Sequence, residues 1–190
     1  MNYVRLNKDQ IKQHGPYLEA LQNCTDKDSL SLRHIIHDKE IECLIATTGK
    51  IACIYKIPQE LQAVFYGLDF LSYSKGTVME EAPTGAVIPD YNQILVRFEK
   101  QKDWKNLVVI AANHKAKWAG LLVSGWELGG LFTNTDDLDR VASCAERFAR
   151  IACLDNQVLL KSDDDSFLCD VMAMQTPELY EGRRASQNET

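Results

Sequence analysis

The segment that decides the fold class is KNLVVIAANHKAKWAGLLVSGWELGGLF, residues 105–132. Two apolar runs rich in β-branched residues flank a short polar break, and glycines interrupt the second run. This pattern predicts a buried β-hairpin that enters a curved sheet or a small barrel. Glycines within a strand mark the bulges and sharp bends with which small barrels turn their corners. The segment therefore favours a β-rich domain.

A second predicted hairpin spans residues 41–57, IECLIATTGKIACIYKI. Two apolar runs flank the sequence Thr-Thr-Gly-Lys, in which Gly49 can adopt the positive φ that a tight turn requires. Pro58 cannot donate a hydrogen bond to a neighbouring strand, so it ends the second strand. Residues 61–75 carry apolar residues at both helical and strand spacings, and this segment stays open between the two.

Two segments are predicted to be helical. Residues 7–23 can be capped by Asn7, but the Gly15-Pro16 pair must kink this segment or divide it into two short helices. Residues 136–152 carry apolar side chains at helical spacing, with aspartates in the first turn and arginines in the last. This second segment gives the strongest helix prediction in the chain.

These elements predict an α+β fold class, mainly β with added helices. Three regions follow along the chain. We expect an N-terminal helical extension at residues 1–40, a β domain at residues 41–175 that contains the helix at 136–152, and a polar, disordered tail at residues 176–190.

The composition argues against nucleic acid and membrane partners. The formal net charge is −6, whereas binding to phosphates needs clustered Lys and Arg. No apolar run approaches the roughly 20 residues that span a bilayer, so we expect no membrane insertion. The first ten residues, MNYVRLNKDQ, show no apolar segment of a secretory signal, so we expect a cytoplasmic location.

The residues that could carry catalysis or bind a metal are scattered. His34 and His37 are three apart and could share one helix face, but no second group with ligand spacing accompanies them. The sequence contains neither a phosphate-binding glycine loop nor a nucleophile elbow. The six cysteines occur singly, which predicts buried free thiols: Cys24, Cys43, Cys53, Cys144, Cys153 and Cys169. We therefore expect a protein that is not an enzyme and has no cofactor and no metal.

Two other classes of function stay open. A small cytosolic enzyme of unrecognised class would need a concave site built from groups such as His34, His37, His114, Asp90 and Glu127. An immunity or regulatory protein would instead use the acidic net charge to bind a basic partner. The two classes differ in whether these polar groups converge in one pocket.

Aromatic residues are the remaining distinctive feature of the sequence. Most should pack in the core, but one or two could be exposed anchors for a protein partner, because large aromatic side chains dominate interface energetics. The candidates are Trp104, Trp118, Trp126, Phe65, Tyr66, Phe70 and Tyr73.

The order of elements from residue 41 to about residue 170 resembles CheW-like chemotaxis coupling domains. The match begins at the hairpin 41–57. It continues with Gly85-Ala86-Val87-Ile88-Pro89, which is similar to the family's short Gly-x-(Val/Ile)-(Ile/Val)-Pro motif, and with Gly120-Leu121-Leu122-Val123, which is similar to its "GLLVD" strand. The sequence departs from the family at two motif positions: Thr84 replaces an arginine and Ser124 replaces an aspartate.

This resemblance implies a fold of two small five-stranded SH3-like β-barrels without a catalytic centre. It implies an adaptor in bacterial chemosensory or twitching-motility signalling that couples receptors to a histidine kinase. The expected partners are a chemoreceptor, the regulatory domain of the kinase, or both. By position in the motif, the partner-binding residues would include Gly85, Val87 and Pro89. The absent arginine favours a divergent member, such as an accessory protein of type IV pilus signalling.

Overall fold

The computed structural model describes residues 3–29, 31–82, 91–107, 132–133, 135–154 and 157–174. The helices are α1 (Lys8–Asn23), α2 (Gln59–Phe65), α3 (Asn92–Lys100), α4 (Thr135–Asp139) and a 3₁₀-helix (Ala142–Arg147). The strands are β1 (Tyr3–Arg5), β2 (Ile35–Asp38), β3 (Cys43–Thr47), β4 (Ile51–Lys56), β5 (Phe70–Ser74), β6 (Thr77–Glu80), β7 (Lys105–Asn106), β8 (Phe132–Thr133), β9 (Phe148–Leu154), β10 (Gln157–Ser162) and β11 (Phe167–Met174). Within these ranges, none of the helices has both the length and the apolar composition needed to span a bilayer.

The described strands form one antiparallel sheet in the order β1-β6-β5-β2-β3-β4-β11-β10-β9-β7, with β8 added beside β11. The expected α+β class, mainly β with added helices, is therefore confirmed. The two five-stranded barrels are not confirmed, because the described strands follow a single path from β1 to β7.

Two three-stranded meanders meet at the centre of this sheet. Strands β2, β3 and β4 form the first meander, and β9, β10 and β11 form the second. The two are joined by antiparallel pairing of β4 with β11, where Cys53 lies directly opposite Cys169. The predicted hairpin at 41–57 is confirmed as β3 and β4, and Gly49 adopts a φ of 86° in the turn between them.

The larger core lies between one face of the sheet and the helices α1, α2 and the 3₁₀-helix. Its centre is aromatic: the ring of Tyr17 on α1 stacks at 5.0 Å on both Tyr55 of β4 and Phe167 of β11. Stacked rings of this kind stabilise a pair beyond the area that they bury. The core thus fixes α1 against the two central strands.

Helix α3 covers the other face of the sheet. Phe98 of α3 and Trp104 pack against Ile45, Leu159 and Leu168 of the strands. Because both faces are covered, β4 is apolar at consecutive positions rather than alternating.

Helix α1 is one continuous helix despite Pro16, so it is not divided into two short helices. Its first turn is closed by a capping box, in which Asn7 accepts from the backbone of Gln10 and Gln10 accepts from the backbone of Asn7. A capping box satisfies two of the amide groups that every helix start leaves without an intrahelical partner.

The helix predicted over residues 136–152 is wrong in its second half. Helix α4 ends at Asp139, the 3₁₀-helix ends at Arg147, and residues from Phe148 onward form β9. Strand β9 lies between β10 and β7, with Ile151 in the larger core and Ala152 in the smaller one. Apolar residues on both faces of a strand imitate helical spacing, and strand pairing overrides the weak helical preference.

The open segment 61–75 contains both kinds of structure. Helix α2 ends at Phe65, Gly67 adopts a φ of 81°, and β5 begins at Phe70. The N-terminal region 1–40 contains the expected helix, but β1 and β2 are part of the main sheet. Most of the hairpin predicted over 105–132 and all of the tail 176–190 lie outside the described residues.

Candidate functional site

The residues predicted to bind a partner, Gly85, Val87 and Pro89, lie outside the described residues. His114, Asp90 and Glu127, named for an enzyme site, lie there too. These positions remain sequence predictions.

The cysteines are not arranged as a reactive centre. All six are free thiols, and the prediction that they are buried is confirmed for five, whereas Cys153 is half-buried. The Sγ atoms of Cys24 and Cys53 are 3.4 Å apart in the larger core. Burial raises the pKa of Cys43 to about 11 and raises the pKa of Cys53 well above its ordinary value. A thiol with a raised pKa is a poor nucleophile, because the thiolate is the reactive form.

His34 and His37 do not share a helix face. His37 is in β2, and the ring of His34 meets Phe70 while that of His37 meets Phe65. Across the described ranges of the chain, no three His, Cys, Asp or Glu side chains are grouped so that they could hold a metal ion.

His37 is a buried histidine with one unsatisfied nitrogen. The residue is 8% exposed. Its Nδ1 lies 2.9 Å from the carbonyl oxygen of Leu68. Since a carbonyl can only accept, Nδ1 carries the proton and donates it, which leaves Nε2 as the acceptor in the neutral ring. Nε2 is buried and has no hydrogen-bond partner within the part of the chain that the structure describes.

Glu42 places its carboxylate beside this nitrogen. Oε2 of Glu42 lies 3.8 Å from Nε2 of His37, which is longer than a hydrogen bond. The backbone of Glu42 has a φ of 51°, a left-handed conformation that a non-glycine residue adopts only at an energetic cost. Asp38 holds the preceding turn by accepting from the backbone of Glu40 and Ile41. Such local strain is often retained where it positions a functional side chain.

His37 and Glu42 line an open pocket of about 610 Å³ between the β2–β3 turn and α2. We call it the Tyr66 pocket and define it by His37, Lys39, Glu42, Gln62, Tyr66 and Gly67. Its volume falls in the range of pockets that bind small molecules.

Tyr66 is the most exposed large hydrophobic residue among the described ones. It is 88% exposed, whereas the preceding residue Phe65 is fully buried in the larger core. Helix α2 ends between these two residues, and the left-handed Gly67 turns the chain toward Leu68. One end of α2 thus anchors the helix in the core and presents a tyrosine to solvent beside the pocket.

A second, smaller pocket of about 260 Å³ lies between α3 and the centre of the sheet. Its floor holds the buried Asp170 of β11. Oδ2 of Asp170 is 2.5 Å from the guanidinium of Arg97, and Oδ1 has no hydrogen-bond partner among the described residues. Burial raises the pKa of Asp170, and Arg97 opposes that rise. The ion pair ties α3 to the sheet, so we assign Asp170 a structural role.

Sequence reasoning identified part of this site. Tyr66 was among the aromatic candidates for an exposed anchor, and His37 was among the polar candidates for a pocket. The role of Glu42 was missed, because only its left-handed backbone directs it toward His37. The local signal was the Phe-Tyr-Gly sequence at 65–67, in which a glycine follows an aromatic pair and marks a helix end.

Comparison with known proteins leaves the CheW-like resemblance as a prediction from the sequence motifs. No protein-family model matches the chain, and no curated protein matches it.

Proposed function

We propose that this chain is a non-enzymatic protein-interaction domain and that the Tyr66 pocket is its binding surface. The observation that carries the proposal is the exposed ring of Tyr66, 88% exposed, beside a pocket that contains the unsatisfied Nε2 of His37. Tyrosine is enriched among the residues that dominate binding energy at protein interfaces. An exposed tyrosine next to a recess therefore has the form of an interface anchor.

The position of Tyr66 suits this role energetically. Tyr66 follows directly on α2, which Phe65 and Leu61 fix in the core. Its backbone is therefore held before a partner arrives, which lowers the conformational entropy lost on binding. Truncation of a tyrosine anchor in an interface commonly costs about 2 kcal/mol of binding free energy.

The CheW-like resemblance supplies the class of partner for this proposal. Under it, the chain couples a chemoreceptor to the regulatory domain of a histidine kinase, as an adaptor in chemosensory or twitching-motility signalling. Gly85, Val87 and Pro89 then contribute a second contact surface. Purified receptor tip and kinase regulatory domain would be titrated with the wild type and with Val87→Asp. Binding that Val87→Asp weakens supports this assignment, and no binding by the wild type removes it.

Affinity capture with two matched tyrosine variants tests the general proposal. Tyr3 is 72% exposed on the edge strand β1 and does not line the Tyr66 pocket, so Tyr3→Ser is the control for Tyr66→Ser. Proteins captured by each variant would be quantified, and the affinity of the identified partner measured with purified components. We expect Tyr66→Ser to weaken binding at least about tenfold, and Tyr3→Ser to leave it unchanged.

Two results would overturn the proposal. One is a partner that binds the wild type and Tyr66→Ser equally. The other is a partner that is lost with Tyr3→Ser and kept with Tyr66→Ser. Because Tyr66 is almost fully exposed, loss of folding does not confuse the comparison, and an unchanged thermal unfolding curve verifies this.

A further inference from the structure

We infer that the Tyr66 pocket receives a basic side chain, lysine or arginine, from the protein partner. This inference rests on the proposed function and names the chemistry by which the partner is recognised. The partner group is identified by what the pocket lacks, which is a donor for Nε2 of His37 and a positive charge that compensates Glu42.

The pocket contains a pair of hydrogen-bond acceptors on His37 and Glu42. The carbonyl of Leu68 fixes the proton of His37 on Nδ1, so Nε2 offers a lone pair. The carboxylate of Glu42 is also an acceptor, and it stands 3.8 Å away without a hydrogen bond to Nε2. A donor with several N–H groups satisfies both acceptors once the side chain of Glu42 moves aside to admit it.

The charged groups of the pocket leave it with a local negative charge. Lys39 also lines the pocket, but its Nζ lies 2.5 Å from Oδ1 of Asp69, so its charge is already compensated. Glu42 therefore leaves one net negative charge among these three groups. The whole chain carries a net charge of −6, which also favours the approach of a basic partner.

An exposed aromatic ring lies at the rim of the pocket. Tyr66 lines the same pocket as Glu42 and is free of contacts on most of its surface. An arginine or lysine can pack its charged group against a tyrosine face and gains from the ring quadrupole. The carboxylate, the imidazole acceptor and the exposed aromatic ring each favour the binding of a cation that carries N–H donors.

Other occupants fit the pocket poorly. An acidic side chain would face the carboxylate of Glu42, which carries a like charge. An apolar side chain would leave Nε2 of His37 without a donor, as it is in the free chain, and would cover the carboxylate of Glu42 without pairing its charge, which carries a desolvation penalty. Nε2 has no exposed surface in this structure. The incoming donor therefore displaces the side chain of Glu42, which is about half exposed.

The test uses small probes of matched shape on the full-length chain. The probes are Nα-acetyl-arginine amide, its uncharged isostere Nα-acetyl-citrulline amide, and Nα-acetyl-glutamate amide. Binding is followed by NMR, through the ¹⁵N shift of His37 Nε2 in histidine-labelled protein and the amide signals of Tyr66 and Gly67. The His37 signal is assigned with the variant His37→Gln.

We expect the arginine probe to shift these signals and to bind about fivefold more tightly than the citrulline probe. Glu42→Gln should remove this preference. Glu99→Gln is the matched control, because it removes the same charge from α3, outside the pocket. Equal binding of arginine and citrulline, preference for the glutamate probe, or an equal effect of Glu99→Gln would each overturn the inference.

The results separate this inference from the proposed function. If arginine leaves His37 and Tyr66 unshifted while Tyr66→Ser still abolishes partner binding, the pocket is a binding surface but not a site for a basic side chain. If arginine binds as expected and Tyr66→Ser leaves the partner bound, the pocket recognises cations but the proposed interface is wrong.

Discussion

Arg147 supplies the hydrogen bond that Pro16 removes from helix α1. Proline has no N–H, so it cannot donate to the carbonyl of the residue four positions earlier, which here is Lys12. Nη2 of Arg147, in the 3₁₀-helix, donates to that carbonyl at 2.9 Å, and Nη1 donates to the next carbonyl, of Gln13. The guanidinium also lies 4.8 Å from the centre of the Tyr17 ring. This explains how α1 stays continuous through a proline.

The first prediction concerns this substitute hydrogen bond. Arg147→Met should lower the free energy of unfolding by about 2 kcal/mol, because it leaves the Lys12 carbonyl without a donor and removes the cation–π contact. In a Pro16→Ala background the loss should be about 1 kcal/mol smaller, because the backbone N–H of an alanine at position 16 can donate to the carbonyl of Lys12. Urea unfolding of the four variants in this double-mutant cycle measures the coupling.

Arg140 provides the control for that cycle. Its Nη1 donates to the carbonyl of Asn23 at the other end of α1, at 2.7 Å. The cost of Arg140→Met should be the same with proline or alanine at position 16. A cost of Arg147→Met that is also independent of residue 16 would show that Arg147 does not compensate for the proline.

The second prediction is an asymmetry within the ion pair of Arg97 and Asp170. Asp170 is 4% exposed at its side chain and Arg97 is 28% exposed. Arg97→Met leaves a buried, uncompensated carboxylate and should cost about 3 kcal/mol at neutral pH. Asp170→Asn should cost less, because the guanidinium of Arg97 can regain water. Lys39→Met, in an exposed ion pair with Asp69, is the control and should cost under about 1 kcal/mol.

The same variants should differ in their response to acid. The folded pKa of Asp170 is raised above its ordinary value of 3.8 by burial, so the folded state binds the proton more tightly than the unfolded state does. Removal of Arg97, which opposes this rise, strengthens the effect. The penalty of Arg97→Met should therefore shrink as the pH falls through the folded pKa of Asp170. A penalty that is constant with pH would argue against a buried charge as its cause.

The third prediction follows from His14. Nδ1 of this buried histidine forms a hydrogen bond of 2.6 Å with the hydroxyl of Tyr55. Burial lowers the pKa of His14 from its ordinary value of 6.5. Glu60, at 3.5 Å from Nε2, raises that pKa, and Arg147 lowers it. The unfolded chain thus binds a proton more readily than the folded one. Stability should therefore be lost as the pH falls below about 6.5 through the folded pKa.

The variant His14→Gln isolates this effect, because an amide can still contact Tyr55 but does not titrate. Its free energy of unfolding should fall less steeply than that of the wild type as the pH drops below about 6.5. Above that pH the two curves should run parallel, which is the internal control. His34, whose pKa is also lowered by burial, contributes in the same direction and is measured with His34→Gln. Parallel curves for wild type and His14→Gln at every pH would refute the assignment.

The fourth prediction concerns the thiols. Of the six cysteines, only Cys153 is half-buried, and the other five are buried. A thiol reagent such as Ellman's reagent should modify Cys153 first in the native protein and reach the rest only as the chain unfolds. Cys153→Ala should remove the fast reaction. Several thiols reacting at the rate of the urea-unfolded chain would contradict the packing of the larger core.

The fold could be predicted from the sequence where local signals and tertiary contacts agree. Gly49 gives both a turn signal in the sequence and a positive φ in the structure. Asn7 caps α1 as its side chain predicts. The helix prediction failed from Phe148 onward. Strand β9 is covered on both faces, so its apolar residues have a spacing that resembles that of a helix. Only the pairing of β9 with β10 distinguishes a strand from a helix here, and that pairing is not a local signal in the sequence.

The candidate site was less predictable, because long-range contacts define it. The partner of His37 Nδ1 is the carbonyl of Leu68, which is 31 residues away. That contact sets the tautomer of the ring, and no residue near His37 in the sequence predicts it. The sequence does not show which of Phe65 and Tyr66 is exposed. In the structure, the ring of Phe65 is buried in the core and Tyr66, directly after the end of α2, is exposed.

The most direct test of the account is hydrogen–deuterium exchange on the chain, alone and bound to the partner that affinity capture identifies. The account predicts slower exchange on binding at the amides around the Tyr66 pocket, from the end of α2 through Gly67 and in the turn at 38–42. The amides of β1, which carries Tyr3, should exchange equally in both states. Protection at β1 with no change around Tyr66 would contradict the assignment of the pocket as the binding surface.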